Sequence, residues 1–286
     1  MRMSTIVVSL VAAGFPAACL AAGTPPVQAG EAAAARQLSP LPDEPAKQQL
    51  EVPAGQHRLV EPQLHVARAG KAAPPRVALT FDACMGKADE RILSALIKER
   101  VPATIFVTAR WLRTNAATVA VFRANPDLFE IEDHGENHIP AVDFQTAIYG
   151  IAAAGSPEAV GREVGHGAEA IRAAGLPEPH WFRGATAKYD LPAIQEIRTM
   201  GYRVAGYSVN GDGGSLLGTQ ETERRIASAK DGDVVISHIN QPSHAAGEGV
   251  ARAILALKAK GVEFVRLSDV EATGDHETTT RQPGLF

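Results

Sequence analysis

From Arg76 onward, short apolar runs alternate with amphipathic stretches of helical length, and no other feature restricts the fold as much. Strand-like runs lie at 76–82, 103–109, 129–133, 181–183, 202–209, 233–239 and 262–267. Helix-like segments fill the gaps near 88–100, 114–124, 157–174, 190–200, 219–229 and 246–260, several of them bounded by Gly175, Pro177, Gly201 or Gly261. A βαβα order predicts parallel strands, because each helix returns the chain to the same end of the sheet. The expected fold class is α/β, a distorted (β/α) barrel of about seven parallel strands, small or incomplete rather than an open sheet.

The flanks read differently. Residues 1–22 have the order of a secretory signal peptide: Arg2, the apolar stretch TIVVSLVAAGF over 5–15, then small residues to Ala21 and Ala22. That apolar stretch is too short to span a bilayer. The expectation is export to the periplasm or beyond the cell, with no membrane span. Lipid anchoring through Cys19 is the weaker alternative, because Pro16 fits such a site poorly. Residues 23–75, rich in Ala, Pro, Gln and Glu, read as a flexible spacer, 76–270 as the folded domain and 271–286 as a polar tail. A net charge of −4 offers no basic footprint for nucleic acid. Oligomeric state is not legible. Beyond the leader Cys84 is the only cysteine, so no internal disulfide forms.

In a barrel of parallel strands, chemistry gathers where strands end. Five ends carry capable groups. The first closes on Asp82, and the third runs into DHGENH, with His134 and His138 four residues apart and able to share a metal. Arg183 ends the fourth, Asn210 and Asp212 follow the fifth, and His238 ends the apolar run VVISH. His57, His65, His166, His180, His244 and His276 lie in spacer, helix or loop contexts and are left without a role. Two histidines and a third ligand leave a divalent ion an open position. A carboxylate beside it can take a proton from water, an arginine can hold that carboxylate ionised, and a histidine can protonate a leaving amine. The parts suit metal-assisted hydrolysis of an amide or ester.

With these residues in view the sequence resembles the NodB-like polysaccharide deacetylases, carbohydrate esterase family four, over about residues 76–270. The family's five motifs match, in order, Thr80-Phe81-Asp82-Ala83, His134-Gly135-Glu136-Asn137-His138, Arg183-Gly184-Ala185-Thr186, Asn210-Gly211-Asp212-Gly213 and Ile236-Ser237-His238. The resemblance implies a distorted (β/α) barrel that uses zinc, or cobalt, to deacetylate N-acetylated glycans such as peptidoglycan or chitin, some members acting on O-acetyl groups. It makes Asp82 the base, His134 and His138 metal ligands, Arg183 the residue that orients Asp82, and His238 the acid.

Four departures accompany the match. Ala83 stands where the family has a second aspartate, Gly135 where it has a hydroxyl residue, the third motif lacks its Pro and aromatic residue, and the fourth lacks Trp and carries Asp212 one place out of register. Three candidates complete the metal shell: Cys84, on the side of Asp82 if the backbone stays extended, Asp82 itself, or water. A non-catalytic glycan-binding protein and a small-molecule amidohydrolase are the competing functions. Few aromatics are available for stacking on a long glycan, and the loop 140–156, with Tyr149, is a candidate cover for the site.

Overall fold

The computed structural model describes residues 58–274 and the backbone of Thr278 and Thr279. The leader, Cys19, the spacer up to residue 57 and most of the tail lie outside the described residues. The chain runs through β1 (Glu61–Pro62), β2 (His65–Val66), β3 (Arg76–Ala83), α1 (Glu90–Glu99), β4 (Ala103–Val107), α2 (Ala109–Thr114), α3 (Ala116–Ala124) and β5 (Phe129–Asp133). A hairpin of β6 (Ala147–Ile148) and β7 (Ile151–Ala152) precedes α4 (Pro157–Ala173), β8 (Trp181–Phe182), α5 (Leu191–Thr199), β9 (Arg203–Val204) and β10 (Val209–Asn210). Then come α6 (Thr219–Ala227), β11 (Asp233–His238), α7 (Ala246–Ala259), β12 (Glu263–Val265), β13 (Ala272–Thr273) and β14 (Thr278–Thr279).

Seven strands make one parallel path, β9-β8-β5-β4-β3-β11-β10, and β12 runs parallel beside the start of β3. No pairing joins β9 to β10 among the described residues, so the curled sheet stays open there. β2 and β13 extend it antiparallel, which makes the sheet mixed.

Side-chain parity along the central strands places the site. In β3, Val77, Leu79, Phe81 and Ala83 face the helices and share their core, while Ala78 belongs to the barrel interior. A strand alternates faces, so Thr80 and Asp82 follow Ala78 inward. In β11, Val235 faces the helices and Val234 and Ile236 face inward, which puts His238 on the interior side. The two strands pair in parallel register with His238 opposite Asp82. Each buried aliphatic or aromatic side chain on the outer face contributes roughly 1.5–3 kcal/mol, so this alternation is strongly held. The helices have local signals too: Asp89 caps α1 by accepting from Arg91 N, and Ser156 with Pro157 opens α4.

Four expectations need correction. The stretch assigned to spacer is part of the fold from residue 58: Leu64 and Val66 are buried in the interior cluster, and Val60 exchanges backbone bonds with Tyr189. Two-residue strands carry no periodicity, so composition dominated there. At the other end, Ala272 is buried and pairs with β2, so the fold runs past residue 270. The run 202–209 is two strands, not one. A Cβ at Gly206 would lie 1.9 Å from Pro62 O, so the incoming segment crosses closely in the gap between β9 and β10. The run 103–109 ends at Val107 because Thr108 caps α2, accepting from Trp111 N at 3.0 Å.

Candidate active site and metal centre

Arg183 is the most constrained group of the site and is fully buried. Its Nη1 donates to Asp82 Oδ1 at 2.9 Å, and its Nη2 donates to Thr80 Oγ1 at 2.9 Å and to Gly206 O at 3.0 Å. Nε donates to Ala205 O at 3.3 Å, and the guanidinium lies 4.2 Å from the centroid of the Phe106 ring. A planar fork with donors on two edges can meet such a set, where a lysine could not. The carbonyls of Ala205 and Gly206 that accept from this cation lie in the break between β9 and β10.

Asp82 is 4% exposed. Burial pushes its carboxyl up, but Arg183, His134 and His238 outweigh that and hold it below the usual carboxylate value. With Oδ1 on Arg183, Oδ2 lies 3.9 Å from His134 Nε2. His238 is ordered by Asp212, a buried carboxylate: Oδ2 accepts from His238 N at 2.6 Å and Oδ1 from Nδ1–H at 3.1 Å. Burial works against the imidazolium, yet Asp212 and Cys84 raise His238 well above its ordinary value. Asp212, one place out of register in sequence, therefore still reaches the histidine. No local spacing signals this pair, because 26 residues separate its members.

Cys84 continues the parity of β3. Ala83 still pairs with Val107 and faces the helix core, so the chain remains extended and the next residue returns to the face of Asp82. Cys84 Sγ lies 3.4 Å from His134 Nε2, and the ligand atoms of Cys84, His134 and His138 all fall within 4.8 Å of one another. His134 Nδ1–H donates to the carbonyl of Arg183, which leaves Nε2 as the nitrogen that faces the thiol and could coordinate. Burial pushes the Cys84 thiol up, but His134 outweighs it and the thiol is held well below its ordinary value. In turn, burial opposes protonation of His134, while Asp82 and Cys84 raise it to about 9. A thiolate beside two imidazoles, with one nitrogen oriented by a backbone carbonyl, is a donor set that fits a divalent ion such as zinc.

The six residues singled out from the sequence, Asp82, Cys84, His134, His138, Arg183 and His238, thus meet at one end of the parallel strands. Of the remaining described histidines, His166 bonds Glu136 at the surface, His244 Nδ1–H donates to Ser215 O, and His65 lies 4.0 Å from Asp233. His57 and His276 lie outside the described residues. The loop 140–156 contains the β6–β7 hairpin, and Tyr149 at its turn is 63% exposed. Lys188, from the segment after Arg183, donates to Tyr149 Oη at 2.8 Å and so ties the hairpin to that segment.

Residues 69–205 match the family described as polysaccharide deacetylase. Solved structures share the fold at low identity. A carbohydrate esterase family-four pseudoenzyme from Bacillus anthracis is 19% identical, with 70% of this chain and 66% of that one covered at a TM-score of 0.56. A family-four acetyl xylan esterase from Clostridium thermocellum, in complex with cobalt, is 23% identical, with 68% and 89% covered at 0.54. PdaA of Bacillus subtilis, a family-four carbohydrate esterase, is 18% identical, with 74% and 94% covered at 0.54. Comparison with curated protein sequences finds no match. Residues 69–205 thus match the polysaccharide deacetylase family, and the chain shares the fold of the carbohydrate esterase family-four structures.

Proposed function

We propose that this protein is an exported, metal-dependent hydrolase that removes acetyl groups from an N-acetylated glycan such as peptidoglycan or a chitin-like polymer. O-acetylated glycan is the alternative substrate. The observation that carries this reading is the convergence, on one end of the sheet, of an ionised carboxylate, an oriented imidazolium and a three-ligand cluster. Cys84, His134 and His138 would hold the ion, zinc by the softness of a thiolate–imidazole set and cobalt as the alternative. When bound, the ion supplies Lewis-acid polarisation of the acetyl carbonyl and a water of lowered pKa.

The chain's own groups account for the proton traffic. Asp82, kept ionised and pinned through Oδ1 by Arg183, takes a proton from water through Oδ2. The hydroxyl oxygen bonds to the acetyl carbon. His238, held protonated by Asp212, gives its proton to the sugar nitrogen as the carbon–nitrogen bond breaks, leaving acetate and a free amine. The lowered carboxyl and raised imidazole let both groups be in the required state at neutral pH. The leader-like residues 1–22 support export. Among the described residues no helix is long and apolar enough to cross a membrane.

The test is acetate release from N-acetylglucosamine oligomers and from acetylated xylan by zinc- or cobalt-loaded protein, with Asp82→Asn beside it. We expect release that falls about 10²–10⁴-fold in Asp82→Asn while glycan binding persists. Glycan binding without acetate release, in wild type fully loaded with metal, would sink the hydrolase reading and leave a binding protein.

A further inference from the structure

The turn that carries His138 is not self-supporting. His138 has φ of +63° and Gly135 φ of +86°, two left-handed residues in a segment that belongs to no helix or strand. A non-glycine residue in that region is strained unless its surroundings hold it. The holding group comes from α4. Glu163, 4% exposed, accepts from Asn137 N at 2.9 Å and from Ile139 N at 3.0 Å, both through Oε1. Its own backbone carbonyl accepts from Glu136 N at 3.0 Å. The amides on either side of His138 therefore end on a single carboxylate oxygen.

Two close approaches show that the fit depends on missing side chains. A Cβ at Gly135 would lie 2.5 Å from Glu163 Oε1, so the carboxylate occupies the space that any other residue at 135 would fill. A Cβ at Gly167, one turn further along α4, would lie 2.1 Å from Asp133 Oδ1 and 2.8 Å from the backbone of Gly135. Asp133 Oδ1 in turn accepts from Gly135 N at 2.8 Å. The helix thus lies directly against the histidine turn.

We infer that Glu163 is the positioning residue of the His134–His138 turn: its carboxylate, seated over Gly135, fixes the left-handed backbone of His138 and with it the imidazole that faces Cys84 and His134. The inference deepens the metal reading above and rests on it only for its effect on metal affinity. The role is one of reach, not of charge. A glutamine keeps an acceptor oxygen in the same place, whereas an aspartate keeps the charge and falls short.

The experiment uses the full chain as wild type, Glu163→Gln, Glu163→Asp and Glu163→Ala. Zinc affinity is read by competition with a chromophoric chelator, and amide exchange at Asn137 and Ile139 is followed in metal-free protein. We expect zinc affinity to fall about 10–100-fold in Glu163→Asp and Glu163→Ala and to stay within a few-fold in Glu163→Gln. Exchange at the two amides should accelerate in the same two variants and not in Glu163→Gln. Should Glu163→Ala fail to fold, the Gln and Asp pair carries the test. Unchanged affinity in Glu163→Asp, or unchanged amide protection in both short variants, overturns the inference. A wild type that takes up no zinc, yet loses protection at both amides in Glu163→Asp, supports the clamp and removes the metal reading instead.

Discussion

The two halves of the site are built in different ways. Asp82 and His238 stand on adjacent strands in fixed register, and their orienting partners, Arg183 and Asp212, follow β8 and β10. His138 stands on an irregular turn whose shape depends on a helix that begins some twenty residues later in sequence. A strand end delivers a side chain through the ladder that holds the strand, so its direction follows from parity. A turn delivers one only if something outside the turn satisfies its amides. Of the metal cluster, Cys84 and His134 belong to the first kind and His138 to the second.

This difference can be tested by substitutions that strike one half and spare the other. The largest effect is expected from Arg183→Met. It leaves Asp82 buried without its cation, and removing one member of a buried pair costs about 3–5 kcal/mol. Urea unfolding would show the loss. The anchor of His134 is the backbone carbonyl of Arg183, which the substitution leaves in place. Metal affinity should therefore fall far less than stability, the reverse of the pattern expected for Glu163→Asp.

Asp212→Asn comes next and acts on the strand-held half alone. In the proposed reaction His238 must be protonated to release the amine, and Asp212 is the group that most raises its proton affinity. Removing that charge lowers the proton affinity of His238, so the alkaline limb of kcat/KM should move to lower pH. Activity at pH 8 should drop by about 10–100-fold, while the acid limb, set by Asp82, stays in place. An unmoved alkaline limb would show that His238 is not the acid.

The smallest effect concerns the cluster itself. In metal-free protein His134 holds a proton up to about 9, so an incoming ion must displace it. Zinc affinity should then rise about tenfold per pH unit across the neutral range, with proton release measurable in weakly buffered solution. A flat profile would place a deprotonated His134 in the metal-free state.

The strand-held half was legible because an apolar run that ends in a polar residue is a local pattern, as at Asp82 and His238. Parity also placed Cys84 correctly, since Ala83 and Cys84 merely continue β3. What escaped has no local pattern. Asp212 meets His238 across 26 residues, and Glu163 meets Asn137 across another 26. A glutamate on an amphipathic helix reads as a solvated charge, and nothing in its neighbours reveals that it is buried. Likewise β2 and β13 each span two residues, too few to alternate, and are held by the long strand β11 and by each other. The split at Gly206 escaped because the segment that crosses it is distant in sequence.

In the proposed function Cys84 completes the metal shell, where Ala83 stands in place of an acid. Elemental mass spectrometry of the purified full chain, wild type beside Cys84→Ser, tests it most directly. The account predicts about one zinc or cobalt ion per wild-type chain and little or none in the variant. Equal metal in both would contradict it and return the third position to Asp82 or water.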